Sequence, residues 1–343
     1  MKDIEERNLA EGQIVEEMTP IRYDTREYPV EVMVNKFKNE EFIIPAYQRE
    51  FIWNEEKQSK FIESILLDLP IPFLFVADEP ESGKLEIVDG SQRIRTLVSF
   101  LANKLVLIKL QKLDKLNGFK FEDLLESRQR RFNRKTIRSI ELTENASWKI
   151  RKDIFERINT KPYDLTSMEI RKGLFEGKFY DFLKMCSEKA LFNQICPISE
   201  KRKKRDEATE MVLRFFTYSE KYKSFIHRVD EFLDDYMHDK SSNGFDQKQM
   251  ESDFDKMINF VNNYIPNGFR KTATAKSTPR VRFEALSVGS HLALLEEPEL
   301  VPVNVDSWIN SDEFIAHTRS DAANSKVKVT GRIEYVRDKL LGK

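Results

Sequence analysis

The chain has 343 residues, with 57 Lys+Arg against 58 Asp+Glu and a formal net charge of −1. That balance excludes a uniformly basic nucleic-acid coat protein, so any contact with a polyanion has to come from a local patch. Two cysteines, Cys186 and Cys196, are too few for a disulfide framework or a four-thiolate zinc site. No apolar run approaches the roughly 20 residues of a membrane span, and the first 30 residues hold no apolar signal core. The expectation is a cytoplasmic protein with no membrane contact.

Residues 1–41 carry six basic and eleven acidic residues, a net of −5. Their start reads as a polar, frayed tail over 1–27, with order beginning near Tyr28-Pro29-Val30. EFIIPAYQREFIW (41–53) has strand composition, and Pro45 marks an edge or an exit. Asn54 suits a helix N-cap, and Phe61, Ile62, Ile65, Leu66 and Leu69 then share one helical stripe that Pro70 and Pro72 stop. FLFVADE (73–79) and KLEIVDG (84–90) predict a β-hairpin with Gly83 in its turn, and RIRTLVSFLANKL a helix after it. Beyond about residue 120 the spacing is helical, with no further run of strands. KRKKR (201–205), 239–247 and 267–280 read as loops. The boundaries that follow are 1–27, 28–115 and 116–343.

The sharpest local feature is IVDGSQRIRT (87–96). A buried strand runs into Asp89-Gly90, and a helix starts directly afterwards. The first N–H groups of a helix have no intrahelical partner and favour an anion, and arginine suits bidentate phosphate binding. Strand, glycine turn and helix start, with Arg93 and Arg95 close by, describe a phosphate cradle; the Gly-Lys-Ser/Thr ending of a Walker A loop is missing. The same residues also suit an ordinary Asp-Gly turn in which Asp89 only caps the helix. Two further features stand out. Gln48 and Arg49 interrupt an apolar stretch, either facing a pocket or lying on an edge strand. In IFERINTKPYDLTSMEIRKGLF (154–175) a helix ends near Asn159, and Thr166 with Glu169 forms the capping box of the next one.

Taken in order, IPAYQREFIW, IVDGSQRIRTL and FERINTKPYDLTSMEIRKGLF closely resemble the N-terminal domain of GmrS-type modification-dependent restriction proteins. The resemblance covers residues 43–175. It implies an α+β chain: a ParB/sulfiredoxin-like domain followed by a mostly helical one. It also implies nucleotide binding or hydrolysis in bacterial defence against foreign or modified DNA. Carried over by position, Asp89, Gln92 and Arg93 are the candidate catalytic residues. Tyr47, Gln48, Arg49, Gly90, Ser91, Arg95, Asn159 and Glu169 would bind the nucleotide, an NTP of unspecified base, with Mg²⁺ as an accompanying ion and no dedicated metal-ligand set. Ser91 stands where the family most often has Gln, and Arg95 where a small residue is usual; either change alters nucleotide preference or leaves binding without turnover.

Full-length fusions of this type carry an HNH nuclease. The four histidines, His227, His238, His291 and His317, do not form its pattern. Three basic stretches offer DNA contact: 120–138, with seven basic and three acidic residues and including Arg130, Arg131 and Arg134; 201–205, with Lys203 and Arg205; and 266–284, with Arg280 and Arg282. The preferred expectation is a nucleotide-dependent defence component acting on DNA, alone, as a homo-oligomer or with a partner defence protein. The alternatives are a non-catalytic sensor of modified DNA or nucleotide that recruits a partner nuclease, and a ParB-like nicking nuclease.

Overall fold

The computed structural model describes residues 2–18, 22–44, 53–79, 82–143, 148–158, 166–226, 228–319 and 324–343. The chain divides into two compact units, Met1–Asp164 and Leu165–Lys343. It is α+β: one mixed sheet in the first unit, and helices throughout the second.

The first unit runs α1 (Ile4–Glu17), β1 (Tyr23–Pro29), α2 (Val30–Lys38), β2 (Phe42–Ile43), α3 (Glu55–Leu66), β3 (Leu74–Asp78), β4 (Leu85–Asp89), α4 (Ser91–Leu101), α5 (Glu126–Asn133), β5 (Thr136–Leu142) and α6 (Trp148–Ile158). The strand order is β1-β5-β3-β4-β2. β1 pairs antiparallel with β5, β5 parallel with β3, β3 antiparallel with β4, and β4 parallel with β2. The predicted helix start at Asn54 is present, its side chain accepting from Lys57 N at 3.0 Å. The predicted hairpin is β3–β4, with Gly83 at φ 65° in its turn. One continuous core joins Met33 of α2, Ile62 of α3, Leu97 and Phe100 of α4 and Phe132 of α5 to Leu74, Val76, Ile87 and Ile137 of the sheet. Burying these side chains, at about 25 cal/mol per Å² of apolar surface, holds the helices on the sheet.

Two expectations need correction. The stretch 1–27 is not a frayed tail: it supplies α1 and most of β1. A strand also follows residue 120. β5, TIRSIEL, is the second strand of the sheet, so the first unit closes at Asp164 and not near residue 115. Its alternation is masked because Ser139 and Glu141 sit at buried positions on the same side as Ile137. They are accommodated by polar partners: Ser139 Oγ donates to the Arg26 carbonyl, and Glu141 takes the Tyr28 hydroxyl and the Arg26 guanidinium.

The second unit comprises α7 (Ser167–Leu174), α8 (Lys178–Glu188), α9 (Ala190–Ile195), α10 (Glu200–Lys203), α11 (Glu207–Lys221), α12 (Val229–Asn243), α13 (Gln247–Tyr264), α14 (Arg280–Glu296), α15 (Val305–Trp308), α16 (Asp312–Thr318) and α17 (Lys326–Leu340). Two of the predicted loops are therefore partly helical, 201–205 through α10 and 239–247 through the end of α12. α14 and α17 approach closely at Gly289, where a Cβ would lie 2.6 Å from Val336. A chain of alternating charges runs through the interior. Arg332 donates to Glu284; Glu284 accepts from Arg214 at 2.6 Å; Arg214 bonds Glu210 at 2.8 Å. Glu210 also faces Arg171, which bonds Asp234 at 2.6 Å. No helix among the described residues is long and apolar enough to cross a membrane.

Glu284 is 2% exposed and neutralises two buried guanidiniums. Glu284→Gln is expected to lower the unfolding free energy by about 3 kcal/mol or more, because it leaves buried positive charge without its partner. Urea unfolding followed by circular dichroism checks this; a loss below about 1 kcal/mol would mean that the charges are not coupled.

Candidate functional site

The site is built where β4 becomes α4. Gly90 lies between them at φ 107° and is the N-cap of α4. A Cβ there would sit 1.9 Å from Leu74 Cδ2 and 3.2 Å from Arg93 Nη2. Backbone conformation and space therefore both require glycine. No side chain caps α4, so Asp89 is not merely a helix cap. The helix starts with Arg93 N and Ile94 N sharing the Gly90 carbonyl at 3.0 and 3.1 Å. The first turn of α4 carries the positive end of the helix dipole.

Arg93 points inward. Its Nη1 donates to the carbonyls of Pro72 and Phe73, and its Nη2 to Asp89, four residues back. The side chain is 10% exposed and that of Asp89 18%. Burial pulls the guanidinium below its ordinary pKa, and the Asp89 carboxylate opposes that pull. Arg93 thus joins three points, the β4 end, the 72–73 segment and the start of α4, into one turn. Ser91 is buried beside it.

Gln92 has a different task. Its Oε1 accepts from the backbone N–H of Trp53 at 3.1 Å, and the Trp53 carbonyl accepts from Gln58 Nε2 at 2.8 Å. The stretch with Tyr47, Gln48 and Arg49 lies outside the described residues, but both of its flanks are fixed on this site. Phe42 and Ile43 pair with Leu85 and Glu86 of β4, and Trp53 is bonded to α4. Arg95 is partly buried, its Nε is enclosed with no hydrogen-bond partner among the described residues, and burial lowers its pKa as well.

Asn159 also lies outside the described residues. Glu169 belongs to the second unit, where it forms the predicted capping box: Oε2 accepts from Thr166 N at 2.6 Å and from Arg205 Nη2 at 3.1 Å. The sequence reading missed Arg151 of α6. It donates to the Asp78 carbonyl and lies 3.8 Å from Glu86, so it anchors the helix of the third motif on the β3–β4 hairpin. Its signal was an arginine one turn into that helix.

The basic stretches diverge. Arg130, Arg131 and Arg134 are exposed. Lys203 lies 3.5 Å from Glu200, and Arg205 is held by Glu169. Arg280 forms a two-pronged pair with Glu207 at 2.7 and 2.6 Å. Arg282 is 4% exposed, with its guanidinium 5.0 Å above the Phe314 ring and its Nη1 on the Ile309 carbonyl. Arg282 is therefore an interior residue and not part of a basic face, whereas Lys271 and Lys276 of the same stretch are exposed. Cys186 and Cys196 are both buried free thiols.

Among the described residues, no group of three or more His, Cys, Asp or Glu is placed to hold a metal ion. The carboxylate of Asp89, at the turn, is engaged by Arg93.

The geometry separates the two arginines. Arg93→Met should destabilise the first unit by about 3–5 kcal/mol, because it strands the Asp89 carboxylate in a half-buried turn. Gly90→Ala should cost about 3 kcal/mol through overpacking and left-handed strain. Arg95→Gln should stay within about 1 kcal/mol of the parent. Denaturant unfolding of the three variants checks this ordering, and equal stability of Arg93→Met and the parent would contradict it.

A search of the curated proteins found no match. Residues 30–176 match the family model described as the GmrSD restriction endonuclease, N-terminal domain, consistent with a GmrSD-type N-terminal domain over those residues.

Proposed function

We propose that the chain is a restriction-type defence component whose Asp89–Arg95 turn binds the phosphates of an NTP and hydrolyses it. The observation that carries this reading is a helix start opened by an obligatory glycine, with a partly buried arginine on the same helix whose Nε is enclosed and has no hydrogen-bond partner among the described residues. The α4 N-terminus supplies N–H donors and a favourable dipole for a phosphate. Arg95 offsets charge on the phosphoryl group in a partly desolvated setting, where a fixed cation acts strongly. Asp89 orients the attacking water, and Arg93 positions Asp89. Gln92 ties Trp53 to the same turn, and the stretch ahead of Trp53 in the sequence would bring Tyr47, Gln48 and Arg49 to the nucleotide. The domain family fits this reading, since it is a restriction family.

One observation favours a second reading. Asp89 and Arg93 hold each other, as they would in a turn built for binding alone. The protein would then sense a nucleotide or modified DNA and recruit a partner nuclease.

Phosphate release from each of the four NTPs with Mg²⁺, with and without DNA, tests both readings. Turnover by the parent protein is expected. Arg95→Gln is expected to weaken nucleotide binding about tenfold to a hundredfold, the effect of losing one charge-assisted hydrogen bond, while folding normally. Binding without turnover selects the sensor. Absence of both binding and turnover overturns the phosphate assignment.

A further inference from the structure

In a chain of net charge −1 the three basic stretches stand out, and the fold treats them differently. In the second unit, Arg202, Arg205 and Arg280 are in ion pairs and Arg282 is interior. α5 of the first unit is arranged otherwise. Phe132 anchors it, its ring packed against Phe100 and Phe121 at 5.5 and 5.8 Å. At 3.6 residues per turn, the side of the helix opposite Phe132 carries Ser127, Arg130, Arg131 and, at the C-cap, Arg134. All three arginines are exposed. Arg130 keeps an exposed pair with Glu126 at 3.0 Å, the kind of contact that contributes little. Arg131 and Arg134 make no ion pair among the described residues.

We propose that this face of α5 binds the sugar-phosphate backbone of duplex DNA. The stretch 126–134 holds four basic residues and one acidic, so its charge is local and single-signed. Like charges three and four residues apart on a helix repel one another, and a row of phosphates relieves that repulsion. Guanidinium groups engage phosphate oxygens bidentately. The buried aromatic anchor keeps the helix rigid, so the arginines are presented on a fixed support. Contacts of this kind set position and affinity without reading bases. The inference rests on the α5 surface and does not depend on nucleotide binding at α4.

The test is duplex binding by the full chain, measured by fluorescence anisotropy with a labelled 25-base-pair duplex of arbitrary sequence across a salt series. The variants are Arg131→Gln/Arg134→Gln and, as a control on the second unit, Lys201→Gln/Lys204→Gln. The parent and the control should bind alike, with affinity falling steeply as salt rises. The α5 variant should bind at least tenfold more weakly, with a log–log salt slope shallower by about two, one for each lost phosphate contact. Its melting temperature and DNA-free NTP turnover should match the parent, which separates this proposal from the nucleotide reading. Equal affinity and slope in parent and α5 variant would overturn it. So would a parent that ignores the duplex yet binds poly-glutamate through these arginines, an outcome that assigns the face to an acidic protein.

Discussion

A single guanidinium fixes the geometry on which the first unit's site depends. Arg93 reaches back from the first turn of α4 to Asp89 and across to two carbonyls of the segment leading into β3. A planar group with five donors in a fixed fork can satisfy a carboxylate and two carbonyls at once; a lysine ammonium cannot hold the same three directions. Gly90 completes the constraint, because any Cβ would strike Leu74. Clamp and glycine together set the angle at which the strand delivers the helix, and so where the α4 N-terminus faces. Neighbouring residues inherit their positions from it. Gln92 is turned to bond the Trp53 backbone, and Arg95 falls three positions further along the same helix.

The second unit is organised by charge more than its helical sequence suggests. Arg171 is fully buried and Arg332 almost so, and each is answered by a buried carboxylate. Pairing of this kind barely offsets the desolvation of its members, yet it penalises any packing in which one partner is missing. The helices α7, α11, α12, α14 and α17 therefore favour the arrangement in which Arg171, Arg214 and Arg332 all meet their carboxylates. This also explains why arginine density along the chain is a poor guide to its surface. Arg280 serves Glu207, whose carboxyl it holds below the usual range, and Arg282 sits over an aromatic ring.

The α+β class, the β3–β4 hairpin, the α3 and α4 helices and the Thr166–Glu169 capping box were legible in the sequence because each rests on local signals. Those signals are an N-cap Asn, paired prolines, a glycine turn and a Ser/Thr-to-Glu spacing of three. β5 was not legible, because two of its interior positions are polar and are satisfied by residues more than a hundred positions away. At the site, the turn and its glycine could be read directly. The direction of Arg93 could not: an arginine near a helix start looks the same whether it faces a ligand or its own loop. Only its spacing of four from Asp89 hinted at the internal pair. The tether from Gln92 to Trp53 links positions 39 apart, and no pattern in either segment announces it.

The sheet has a further consequence at its β1 edge. The domain match begins at residue 30, whereas β1 occupies Tyr23–Pro29 and lies along the whole length of β5. β1 is mostly exposed and carries Asp24, Arg26 and Glu27, the charged outer margin that discourages strand-to-strand association between molecules. A chain shortened to begin at Val30 would keep every matched residue and lose that margin. It would bare the β5 backbone and remove the Tyr28 hydroxyl and the Arg26 guanidinium from Glu141. The matched stretch is thus shorter than the sheet it belongs to.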